Sequence, residues 1–166
     1  MRRFVLQLTL GLGLAGLFFA NALHAAGSAD AASGEAQQTS MQLATSAPKG
    51  SLKDPYIGNS QAIAQGGMLF SGAGCPGCHG GGGGGGICPP LTNGVWIYGD
   101  SNDTLFRLIA LGSVDLQKQG YSRMAIENVV APMPSFGSII PKPDDIWKII
   151  AWIKSHYDAQ GKPLQQ

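Results

Sequence analysis

Cys75-Pro76-Gly77-Cys78-His79 decides how the chain is read. The spacing is C-x-x-C-H, the attachment pattern for a c-type haem. Two thiols that add across the two vinyl groups of one haem must stand about one helical turn apart on one face. The next residue, His79, then falls under the iron and offers a ring nitrogen as proximal ligand. Covalent links suit a small domain, which cannot hold a large flat cofactor by packing alone. Two other chemistries use paired cysteines. A thiol-disulfide oxidoreductase using Cys75 and Cys78 expects a strand before the motif and a βαβ context. Here the upstream stretch Gln61 to Phe70 reads as helical and a glycine run follows. A zinc site needs a second ligand pair, and outside the motif and residues 1–25 only Cys88 and His156 remain.

Upstream, Met1 to Phe19 reads as a secretory signal. Arg2 and Arg3 precede an apolar run from Phe4 to Phe19, and the small residues from Ala20 to Ala26 provide the cleavage region. The signal is set at 1–25, with cleavage after Ala22 to Ala26, and the protein is expected in the periplasm. The apolar run is shorter than the ~20 residues of a spanning helix. Of 11 basic and 10 acidic residues, cleavage removes Arg2 and Arg3, leaving a net charge near −1. That balance does not attract nucleic acid or anionic membrane. Residues 26–53 are rich in Ala, Ser, Gln, Thr and Gly. They are expected to form a disordered linker, because they bury too little to offset ordering entropy. The folded domain is set at 54–162, followed by a tail at 163–166.

Within the domain, Asn59 or Ser60 caps a helix running to about Ser71. Gly66 and Gly67 inside it are costly unless another helix crosses closely there; plain fraying is the alternative. Gly80 to Gly86 is a seven-glycine run. It reads either as a flexible loop that lets backbone pass the macrocycle or as a low-complexity stretch with little function. Pro89, ten residues after His79, offers a fixed carbonyl to the second ring nitrogen of that histidine; an ordinary proline turn is the alternative. Cys88 is expected to be buried as a small apolar residue, with an intermolecular disulfide as the alternative. Asp100 to Asp103 caps a helix from Thr104 to Leu111 that Gly112 ends, and Gly120 to Val130 reads as a possible short helix. Trp96 and Tyr98 pack either near the haem or in plain core.

Ala131-Pro132-Met133-Pro134-Ser135-Phe136-Gly137 is the second informative stretch. Prolines on both sides of Met133 fix an extended backbone and present the sulfur. A thioether is a soft ligand suited to low-spin haem iron and raises its potential. Met68 and Met124 read instead as fillers of apolar gaps, and His156 as a cap near the end of the last helix. In that helix Pro143 precedes Asp144, which is read as the cap. Ile146, Ile149, Ile150, Ile153 and Tyr157 follow its period, and Trp152 is expected to pack on Phe70.

These residues together resemble class I c-type cytochromes: Gly67 and Phe70 before Cys75-x-x-Cys78-His79, then Pro89-x-Leu91, Met133-Pro134-x-Phe136, and Ile149-Ile150-Ala151-Trp152-Ile153-Lys154. The resemblance implies an all-α fold with crossing N- and C-terminal helices around one covalent haem c. It also implies that the Pro89 carbonyl orients His79 and that Met133 is the sixth ligand. Cys88 stands where the family usually has Gly. Within the class the chain looks most like cytochrome c(L) and related electron acceptors of quinoprotein alcohol and methanol dehydrogenases. The residues that carry this are Asp54-Pro55-Tyr56-x-Gly58, Cys78-His79-Gly80, Trp96-x-Tyr98 and Ala151-Trp152-Ile153-Lys154-x-x-Tyr157. It implies a carrier, not an enzyme, that takes single electrons from such a dehydrogenase and passes them to a terminal oxidase or another cytochrome. A general electron donor to cytochrome oxidase is the alternative.

Overall fold

The structure is a computed structural model and describes residues 37–125 and 131–158. The signal segment, the tail and residues 126–130 of the possible short helix lie outside the described residues. Those residues form five helices and no strand: α1 (Ser40–Ser46), α2 (Ser60–Gly72), α3 (Pro76–His79), α4 (Asn102–Lys118) and α5 (Pro143–Asp158).

The α2–α5 crossing organises the domain. Asn59 caps α2 by accepting from the Ala62 amide. The paired glycines sit where α5 passes. A Cβ on Gly66 would collide with the Lys148 carbonyl, and one on Gly67 would lie 2.8 Å from Trp152 Nε1. Close approach, not fraying, therefore explains them. Phe70 meets Trp152 with ring centroids 4.4 Å apart. The inner face of α5 buries Ile146, Ile149, Ile150 and Ile153 against Phe70, Phe106 and Leu105. The helix starts two residues earlier than the sequence suggests. Pro143 occupies its first turn, where a missing N–H costs nothing, and Asp144 pairs with Lys148 at 2.6 Å instead of capping.

Residues 37–53 correct the linker expectation. Thr39 and Gln42 form a capping box at the start of α1, and Ser40, Ala44 and Leu52 are buried. What holds this segment is polar. Arg107, 3% exposed, donates to the carbonyls of Ala44 (2.5 Å), Ala47 (2.9 Å) and Pro48 (2.9 Å) while pairing with Asp103 at 3.0 Å. Asp103 in turn accepts from the Leu52 amide and from the Tyr121 hydroxyl. Burial pushes the Asp103 carboxyl up, and hydrogen bonds from Arg107, Tyr121 and the Gly50 and Leu52 amides more than offset it, so it stays below its ordinary value.

Helix α4 is capped by Ser101 and continues past Gly112 to Lys118, but Gly112 itself is not helical (φ 76°, ψ 170°). Residues 120–125 carry no helix. Met68 and Met124 are exposed, so neither fills an apolar gap.

Candidate functional site

A cleft of about 300 Å³ opens beside the α2–α5 crossing. Phe70, Leu105, Leu108, Ile109, Ile149 and Ile153 supply apolar wall, and Cys75, His79, Trp96, Tyr98 and Met133 line it as well. Of the described lining residues, Arg123 alone carries a fixed charge.

Helix α3 is the single turn Pro76–His79, with Pro at its first position. The His79 amide bonds the Cys75 carbonyl at 3.0 Å, which puts the two on successive levels of one turn. Cys78 lies in the same turn, half-buried and outside the lining residues. Burial pushes the Cys75 thiol above its ordinary value.

His79 Nδ1 lies 2.8 Å from the Pro89 carbonyl. A carbonyl only accepts, so Nδ1 is the donor, and in the neutral ring this tautomer leaves the lone pair on Nε2. This contact makes Pro89 more than a turn residue. The loop before it is also more ordered than a flexible tether. Gly85 N bonds His79 O at 2.8 Å, Cys88 N bonds Cys78 O at 3.1 Å and Leu91 N bonds Gly83 O at 2.7 Å. A Cβ on Gly80 would stand 2.7 Å from Gly85 O, and one on Gly86 2.7 Å from Cys78 O, whereas Gly81, Gly82 and Gly84 face open space. Part of the glycine run is thus demanded by the fold and part is not. Cys88 is half-buried and lines the cleft. Burial, then the neighbouring Cys78 thiol, raises its pKa.

Met133 enters from the opposite side of the sequence and is half-buried among the lining residues. His156 does not reach the cleft. Its Nδ1 lies 2.9 Å from the Trp152 carbonyl and its ring packs on Trp152, centroids 4.3 Å apart. Trp96 and Tyr98 both line the cleft, and they also belong to the core: Tyr98 is buried and Trp96 packs against the core cluster. Ser113 and Gln117, also in the wall, are residues that sequence reasoning passed over. Gln117 Nε2 donates to Tyr98 Oη at 2.9 Å and to Ser113 O at 3.1 Å.

The donor set fits a haem. An apolar cleft places a thiol, an imidazole with a free Nε2 and a thioether around one space. No helix among the described residues is long and apolar enough to cross a membrane. A search of curated proteins finds no match. The family model for cytochrome c matches residues 63–156, more than half of the chain. The match, the helical architecture and the cleft agree, and the chain belongs to the cytochrome c family, electron-transfer proteins that bind haem c covalently.

Proposed function

We propose that this is a periplasmic carrier with one haem, accepting single electrons from a quinoprotein alcohol or methanol dehydrogenase and passing them to a terminal oxidase or another cytochrome. In this reading Cys75 and Cys78 carry the haem through thioether bonds. His79 and Met133 fill the axial positions, and Pro89 orients His79. The observation that carries it is the gathering of His79, with Nδ1 committed to Pro89, and Met133 in one apolar cleft. The bound haem supplies a one-electron couple; the chain holds both axial donors in place and keeps water from the apolar wall. With both positions taken, no site is left for substrate on the metal. Export rests on Arg2, Arg3 and the apolar run to Phe19.

The choice of donor rests on Asp54-Pro55-Tyr56-x-Gly58 and Trp96-x-Tyr98. The face offered to it is mainly apolar, with the exposed Arg123 as the fixed charge among the described cleft residues. Ile87, Val95, Met124 and Pro132 are exposed beside the cleft or its loops, together with Gly81, Gly82, Gly84 and Gly86. Small uncharged interfaces suit rapid electron-transfer encounters. Reduction by a quinoprotein alcohol dehydrogenase should therefore fall only mildly, less than about threefold, between low and physiological salt. Stopped-flow reduction across a salt series measures this. A steep fall would assign docking to charged residues. No reduction at any salt would remove this dehydrogenase and leave general donation to cytochrome oxidase in front.

A further inference from the structure

Resting on Met133 as the sixth ligand, we propose that Ser113 is the positioning residue for that ligand, gripping Met133 by both of its backbone hydrogen-bonding groups. The Met133 amide donates to Ser113 Oγ at 3.0 Å, and the Ser113 amide donates to the Met133 carbonyl at 2.9 Å.

The grip depends on the break in α4. In an unbroken helix the amides of Ser113 and Val114 would bond the carbonyls of Ile109 and Ala110. The positive φ of Gly112 turns the chain out of register. The freed carbonyls are taken by the methionine segment instead. Phe136 N donates to Ile109 O at 2.9 Å, and Gly137 N (2.9 Å) and Ser135 Oγ (2.6 Å) donate to Ala110 O. Gly112 cannot carry a side chain there, because a Cβ would stand 2.7 Å from Met133 O and 2.8 Å from Ser135 N. Pro132 and Pro134 have no N–H, so Met133 is the one residue of the three that can be held by its amide. Ser113 is 6% exposed and lines the cleft, and its own carbonyl is occupied by Gln117. A side chain that ties the Met133 segment to α4 in this way would set how fast the thioether could leave a bound haem.

The test uses ferric holoprotein and imidazole as the competing ligand. At saturating imidazole the displacement rate is limited by departure of the protein's own ligand. Ser113→Ala should raise this limit at least about fivefold, the effect of losing one buried hydrogen bond. Ser113→Thr, which keeps the hydroxyl, should stay within about twofold of the parent. A limiting rate in Ser113→Ala equal to the parent's overturns the proposal, as does an equal rise in both variants. Loss of fold stability without a change in the limiting rate also overturns it, since that is a merely structural effect. Met133→Ala separates the two levels. If it keeps the parent's slow limit, Met133 ligation fails; if it binds imidazole without a slow step, ligation stands and Ser113 is judged by its own variants. Should Ser113→Ala not accumulate, hydrogen exchange of the Met133 amide in the parent decides. Protection supports the grip, and exchange as fast as a free amide overturns it.

Discussion

A thioether has neither charge nor strong hydrogen-bonding capacity, so its position must come from the backbone that carries it. Pro132 and Pro134 stiffen that backbone and Ser113 anchors it, while His79 is aimed through its ring by Pro89. The two sides of the cleft thus use different devices, one acting on a side chain and one on a main chain. Met133→Ala should leave the haem attached, because Cys75 and Cys78 are untouched, but open the sixth position. The potential should fall by roughly 0.1–0.3 V, part of the about 0.8 V over which axial ligands set haem potentials. The weak charge-transfer band at the red edge of the ferric spectrum should vanish; its survival would show that Met133 is not the ligand. The residues proposed as ligands stand out in the sequence because each role needs a particular side chain at a particular spacing. Ser113 was not, because its partner lies 20 residues away and is a backbone amide, which leaves no pattern of its own.

Among the elements, α2 and α5 were readable from caps, glycines and isoleucine spacing, whereas α1 was hidden. The composition of α1 is small and polar, and composition alone points to disorder. Its stability comes from carbonyls captured by the buried Arg107, a contact spanning 63 residues from Ala44. The Thr39-x-x-Gln42 capping box was the one local signal that would have revealed it. Glycine, by contrast, is informative inside α2. Gly66→Ala should gain helix propensity yet destabilise the holoprotein by about 1–3 kcal/mol, because its Cβ meets the Lys148 backbone and the crossing must open. Gly72→Ala, at the end of the same helix with nothing within 4 Å, should be neutral or stabilising by up to about 1 kcal/mol. Denaturant midpoints of the two variants provide the comparison. Equal midpoints would mean that helix propensity, not the crossing, governs α2.

At the scale of the whole molecule, three carboxyls set opposing dependences of stability on pH. Burial raises the Asp54 carboxyl to about 6, against lowering by the Tyr56 amide and by Lys154, and its Oδ2 is buried with no hydrogen-bond partner. A carboxyl whose pKa is raised by folding contributes stability that is fully present below its unfolded value near 3.8 and is lost as pH rises through about 6. Asp103 and Asp144 act in the other sense. Asp144 is held low by hydrogen bonds from Lys148 and then Tyr56, and Asp103 by the Arg107 and Tyr121 hydrogen bonds that outweigh its burial. Their contributions are present above the ordinary carboxylate range and are lost as pH falls through their lowered values. The half-buried Asp54 therefore opposes the paired carboxyls. Asp54→Asn mimics the protonated carboxyl at every pH, so it isolates one of them. Its denaturant midpoint should exceed the parent's at pH 7, and the gap should close as pH falls from 6 to 4. A gap that is constant across that interval, or that widens toward acid, would show that Asp54 is ionised at no cost in the folded protein.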